Sequence, residues 1–228
     1  MCFDFKKEVD ETIKKYLSNL SKVNQKKYQQ IKNNSHNNSM TVDTSFKKCP
    51  DNYIGYVSNT ESNLFAIANL RCANRGKIKI KKLTDRQRIV VILESPHKSE
   101  FRSQLIAPAL GVTGERIHSH LWKILQNAAL LTKEKQDVYL VNAIQYQCSL
   151  GFDTSIYRDM IFNAVWKKKE GDLLSRIRKI KPSIIIVAST DAFNKRIVNC
   201  VKRFKEDNVW QADSHPSVWH NGTRINKV

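Results

Sequence analysis

Several things are scarce in this chain of 228 residues, and each scarcity excludes something. Its five cysteines, Cys2, Cys49, Cys72, Cys148 and Cys200, are scattered, odd in number and never spaced as CxxC. That pattern excludes a disulfide framework and reads as free thiols in a reducing compartment. No apolar run approaches the roughly 20 residues that a membrane-spanning helix needs. The opening Met1-Cys2-Phe3-Asp4-Phe5-Lys6-Lys7 lacks the apolar core of a secretory signal, so a soluble cytoplasmic protein is expected. No internal repeat is visible, which excludes a solenoid. Acid is also short: 21 Asp and Glu face 39 Lys and Arg, a net charge of +18.

Such an excess of positive charge points to a polyanionic partner. Nucleic acid is the first candidate and an anionic membrane surface the second. A lipid-binding chain would concentrate its charge on one amphipathic helix, whereas here it is spread along the sequence. A Lys-rich source composition is the plain alternative. With 41% hydrophobic residues the chain is long enough to bury one full core with an appendage.

Val9, Ile13, Leu17, Leu20 and Val23 recur at helical spacing and predict a first amphipathic helix. An Asn/Ser-rich loop follows near 33–42, and Ser62 to Ala73 reads as helical. Lys77 to Lys82 alternates Ile with Lys, as an edge strand or an extended lead-in would. From Arg88 a strand–helix rhythm sets in. Strands are predicted at Arg88 to Glu94, Val138 to Asn142, Ser183 to Ala188 and Asn208 to Ala212. Between them lie helices at Glu115 to Leu131, at Met160 to Ile180 with a break near Gly171, and at Asp191 to about Phe204. Apolar strands alternating with helices predict an α/β fold, a three-layer α/β/α sandwich around a central, mainly parallel four-stranded sheet. Residues 1–83 are expected to form a basic, mainly helical region ahead of an α/β/α domain at 84–228.

Each predicted core strand ends in polar residues: Glu94, then Asn142, then Ser189-Thr190-Asp191, then Asp213 leading into His215-Pro216-Ser217. Ligands of open parallel sheets bind outside the carboxyl ends of the strands. A carboxylate, an amide and an imidazole around one crevice could activate water, read a base edge and stabilise a leaving anion. Polar strand ends also arise simply where strands meet loops and helix caps. His118 and His120 lie two apart on a predicted helix and diverge, so no metal site is expected there. Lys167 to Lys169 and Arg176, Arg178, Lys179 and Lys181 are as compatible with solvated helix faces as with phosphate contacts.

Leu93-Glu94-Ser95-Pro96-His97-Lys98-Ser99-Glu100 resembles the first motif of the uracil-DNA glycosylase superfamily, closest to the form G-E-A-P-G-x-x-E. Pro108-Ala109-Leu110-Gly111-Val112-Thr113-Gly114 is similar to that branch's P-F-V-G-x-A-G. Val141-Asn142-Ala143-Ile144 is similar to its T-N-x-V, and His215-Pro216-Ser217 to its H-P-S loop. The four motifs stand in the family's order from Arg88 to about Thr223. The resemblance implies a monofunctional DNA glycosylase that flips a base and hydrolyses its bond to the sugar. Glu94 would then position water or stabilise the cationic sugar, Asn142 would recognise the flipped base, and His215 would bond the departing base. Glycosidic cleavage leaves an oxocarbenium-like sugar and an anionic base, so a carboxylate and a donor each lower the barrier.

The chain also departs from the pattern. The branch usually holds an iron–sulfur cluster, but Tyr146 stands where one of its cysteines would be, so no cofactor is expected. Ala109 replaces the aromatic that stacks on the base, which leaves Phe101 or Tyr146 to supply a ring or else a larger pocket. His97 replaces a glycine on the water side and joins the catalytic candidates. The expected base is therefore uracil or a bulkier modified pyrimidine, such as glucosylated hydroxymethylcytosine in an antiphage role. Ser95, Pro96, Ser189, Thr190, Pro216, Ser217, Val218 and Trp219 are the candidate DNA contacts, with Trp219 as an apolar wedge. DNA is the expected partner and a monomer the expected state. A non-catalytic nucleic-acid-binding module is the rival reading, and a nucleotide or nucleoside hydrolase a second.

Overall fold

The computed structural model describes residues 4–18, 48–64, 85–101, 106–148, 154–204 and 206–228. Along the chain lie α1 (Phe5–Ser18), β1 (Asn52–Val57), β2 (Ser62–Leu64), β3 (Arg88–Leu93) and α2 (Val112–Asn127). They are followed by β4 (Gln136–Asn142), α3 (Thr154–Ile180), β5 (Ile184–Val187), α4 (Asp191–Lys202), β6 (Val209–Ala212) and β7 (Ile225–Lys227). All seven strands join one mixed sheet in the order β2-β1-β4-β3-β5-β6-β7.

The apolar runs explain the middle of that sheet. Ile89-Val-Val-Ile92 and Ile184-Ile-Ile-Val187 are β-branched and buried on both faces, as strands covered on both sides must be. β3 pairs in parallel with β4 and with β5, and β5 in parallel with β6. Alternate residues feed two cores. Ile89, Val91 and Leu93 meet Ile117, Leu121, Ile124 and Leu125 of α2. Val90 and Ile92 meet Ile161, Phe162, Val165 and Ile177 of α3 and Phe193 and Ile197 of α4 on the opposite face. Val9 brings α1 onto that second core.

The expectation of four strands is corrected at both edges. β1 lies antiparallel beside β4, and β2 beside β1. β7 lies antiparallel beside β6. Residues 52–64 are therefore strands of the main sheet rather than part of a mainly helical region, and β2 occupies the start of the helix expected at Ser62. Gly55 sits at a bulge in β1 with φ of 122°, and a Cβ there would lie 2.1 Å from the Asn63 carbonyl oxygen. The α3 helix also runs unbroken through Gly171, which faces open space. The first helix is described only to Ser18. The loop near 33–42, the remainder of the helix expected to Ala73 and the edge strand at Lys77 to Lys82 lie outside the described residues.

Candidate functional site

The direction of the connections locates a crevice. From β3 the chain crosses by α2 on one face to β4, whereas from β5 it crosses by α4 on the other face to β6. The sheet thus has a topological switch point between β3 and β5, the place where open α/β sheets hold ligands. Glu94 follows β3 there and Ser189-Thr190 follow β5.

Glu94 is buried, and the Thr190 hydroxyl donates to its Oε2. The Thr190 backbone N–H donates to the same carboxylate, and Arg158 from the second turn of α3 approaches Oε1 with its Nε at 3.4 Å. Burial raises the Glu94 pKa, while Thr190 and Arg158 oppose that rise. Arg158 also lies over the Phe193 ring, 5.5 Å from its centroid. Thr190 stands at the N-cap of α4 but gives its side chain to Glu94 instead of capping the helix.

His215 comes from the loop after β6. Its Nδ1 accepts from the Ser217 backbone N–H at 3.2 Å and lies 2.9 Å from the Ser217 hydroxyl. Accepting at Nδ1 puts the ring proton of the neutral imidazole on Nε2. Burial, with the Arg158 charge second, lowers the His215 pKa to about 4. A neutral donor near neutral pH is the result. Arg158 is thus a common neighbour of Glu94 and His215, and sequence reasoning missed it because it sits in a basic helix without a motif.

A second polar group forms on the α2 side of the sheet. Asn142 ends β4 in register with Leu93, whose side chain belongs to the α2-side core. Asn142 is 1% exposed and turns its side-chain amide onto the Glu100 carboxylate and the Cys49 thiol, favouring the charged form of each. Beside it lies Glu100, 5% exposed, which accepts from the backbone N–H groups of Ala109 and His97 and from the Cys49 thiol at 3.6 Å. Burial raises the Glu100 pKa to about 7. The His97 N–H donates to the Glu100 carboxylate, the carboxylate half of a capping box, on a tight turn closed by the Glu100 N–H to the His97 carbonyl at 2.9 Å. The S-P-H-x-x-E spacing carries that signal, and Glu100 should have been singled out from it.

Arg176 of α3 fastens the end of β4. Its Nη2 donates to the carbonyls of Asn142 at 2.9 Å and Ala143 at 3.1 Å, and its Nη1 pairs with Asp51 beside Cys49. Ala109 is buried with φ of 60°, a left-handed conformation that turns its N–H onto Glu100.

The remaining expected residues are distributed as follows. His97 is exposed at the start of the short turn Lys98–Phe101, and Ser95 lies near the buried Cys148 thiol. Phe101 is buried, and Tyr146 packs into the core on the α3 side beneath Lys48. Ala109 belongs to the opposite core, so Tyr146 does not take over the ring that Ala109 lacks. Pro96, Pro216 and Ser189 are buried, and the Ser189 hydroxyl has no partner. Trp219 is corrected outright. It is 0% exposed, packs in the α2-side core and donates its indole N–H to the Ser214 carbonyl at 3.0 Å. A large ring with its one donor satisfied belongs beneath a loop. Val218 is the exposed apolar residue of that loop, at 60%.

No family model, curated protein or solved structure matches this chain. No helix among the described residues is long and apolar enough to cross a membrane.

Proposed function

We propose that the protein is a monofunctional DNA glycosylase with a uracil-DNA glycosylase-like α/β/α fold, working as a cytoplasmic monomer on DNA. The observation that carries this reading is His215, an imidazole held neutral with its proton on Nε2, sharing Arg158 with the buried Glu94 at the ends of parallel strands. Breaking the C1′–N bond sends its electron pair into the base and leaves positive charge on the sugar. The His215 Nε2–H donates to the base carbonyl oxygen as that charge arrives. The Glu94 carboxylate faces the sugar cation as a fixed charge, since Thr190 and Arg158 already occupy several of its acceptor positions. Water then adds to C1′ and its proton leaves to the base or to solvent. Preorganised charge of this kind acts without reorganisation.

The rival is a non-catalytic DNA-binding module, favoured by one observation: the Thr190 and Arg158 contacts would suit Glu94 equally as a clamp between β3 and α4. An abasic-site assay decides between them. Wild type, Glu94→Gln and His215→Ala are tested on DNA containing uracil, hypoxanthine or hydroxymethylcytosine and on glucosylated phage DNA. Wild type should yield alkali-labile breaks on at least one DNA, and each variant should lose about a hundredfold or more in rate while binding DNA within a few-fold. Excision retained in both variants refutes the assignment. Tight binding with no breaks on any DNA hands the case to the module.

A further inference from the structure

Arg158, Phe162 and Trp166 recur every four residues along α3, so they form one row on the helix. The two rings are buried in the α3-side core. Phe162 stacks on Trp166 with 5.7 Å between centroids, and on Phe193 of α4 at 4.0 Å. The Arg158 guanidinium caps this column, 5.5 Å from the Phe193 centroid. A planar cation seated on a ring face is already oriented for its charged partners. Those partners are two carboxylates that share its Nε: Asp159 on the same helix at 3.0 Å and Glu94 beyond β3 at 3.4 Å. The side chain of Glu94 is 7% exposed and that of Arg158 24%, so water and salt screen this pair weakly.

We propose that Arg158 is a positioning residue of the reaction, whose fixed charge keeps Glu94 a carboxylate and His215 a neutral imidazole at the same time. The proposal rests on the glycosylase reading and adds a residue that none of the four strand-end motifs contains. The groups bearing on this centre come from every element around it. Glu94 comes from the end of β3, the Cys148 thiol from the segment after β4, Asp159 from α3 and His215 from the loop after β6. The N-terminus of α4 adds the Thr190 hydroxyl and N–H. Burial alone favours the protonated form of Glu94, which could not stabilise a cationic sugar, and the guanidinium opposes that. The same charge disfavours a second cation beside it, so His215 keeps its Nε2–H for the departing base. Asp159 prevents Arg158 from cancelling Glu94. The three side chains together carry one net negative charge, which is left to face the sugar.

The test follows His215 and excision separately. Arg158→Met and Arg158→Gln remove the charge while keeping a side chain of similar reach, and Arg158→Lys keeps the charge. Folding is checked by circular dichroism, so either neutral variant serves if the other does not fold. The His215 ring is titrated by NMR with nitrogen-labelled histidine, its signal assigned by its loss in His215→Asn. In parallel, kcat/KM is measured across the acid limb on the DNA that wild type cleaves. In the neutral variants the His215 midpoint should rise from about 4 by roughly half a pH unit or more, and the acid limb should move up with it. Arg158→Lys should restore both. An unmoved His215 midpoint in a folded neutral variant overturns the proposal. So does a kcat/KM that falls by one factor at every pH, which is what a purely structural arginine would give. A Lys variant that behaves like the neutral ones overturns it as well. A midpoint that moves as stated, without abasic sites on any DNA, leaves the charge-setting role standing and overturns the glycosylase reading alone.

Discussion

His215 and Glu100 are moved from their ordinary ranges in opposite senses, and stability should record both. Burial first and Arg158 second lower His215 from 6.5 to about 4, so the folded state holds fewer protons there than the unfolded chain. That contribution is fully present above pH 6.5 and is lost as pH falls toward 4. Glu100 is raised from 4.5 to about 7 by burial, so its contribution is present below pH 4.5 and is lost as pH rises through 7. Each shift corresponds to roughly 3 kcal/mol at about 1.4 kcal/mol per unit. The two slopes oppose each other over nearly one window, and in the wild type they largely cancel. Single variants should unmask them. Glu100→Gln should gain stability from pH 4.5 to 6.5 relative to wild type, and His215→Asn should lose it. Urea midpoints at pH 4.5, 5.5, 6.5 and 7.5 measure this, and parallel profiles for all three proteins would contradict the assigned burial. For the reaction, the same shift predicts no inflection near pH 6.5 from His215 in kcat/KM.

Among the elements, the loop between β6 and β7 separates two roles that the sequence leaves entangled. Trp219 anchors the loop from below, in contact with the α2-side core, and Val218 projects from it. Trp219→Ala should therefore cost about 3–5 kcal/mol of stability, as deletion of a buried ring does. Val218→Ser should leave the melting temperature within a few degrees and reduce excision from duplex more than from single-stranded DNA. Equal losses on the two substrates would remove Val218 as a wedge. The periodicity of α2 is plain in the sequence, because Ile117, Leu121, Ile124 and Leu125 fall on one face. Strands β3 and β5 are plain for a similar reason, since uninterrupted apolar runs of that kind leave few alternatives. β1, β2 and β7 are not legible. β2 and β7 are three residues each and partly polar, β1 is interrupted at Gly55, and pairing with β1, β6 and β4 respectively makes them strands. A loop tryptophan likewise has no periodicity to show which way it faces. At the site, strand ends pointed to Glu94, Asn142 and His215, but Arg158 and Cys49 arrive from remote segments that no local pattern ties to them.

The whole molecule carries +18, and that charge should set how it binds DNA. The logarithm of the binding constant should fall linearly with log salt, a loss of about 10³-fold or more from 50 to 200 mM if some six phosphates are contacted. Salt-insensitive binding would remove DNA as the partner. The sheet makes a further claim about what the folding unit is. A boundary at residue 83 would cut between β2 and β3, although β1 covers the edge of β4 from Leu140, opposite Asn52, to Gln136, opposite Val57. β4 is buried along its whole length, so its exposed edge in an 84–228 fragment would be an apolar template for aggregation. The same cut removes Asp51, the more buried of the two carboxylates on Arg176, and leaves only Asp172, 40% exposed, to pair with it. The fragment should therefore be insoluble or lack a cooperative melting transition. Removing only residues 1–47 takes away α1, which is held by Val9 and by the exposed ion pair of Glu8 with Lys168, and should cost much less. A cooperative, soluble 84–228 fragment with excision intact would show that β1 is an accessory edge. Failure of that fragment beside a folded 48–228 chain would place the start of the folding unit between α1 and β1.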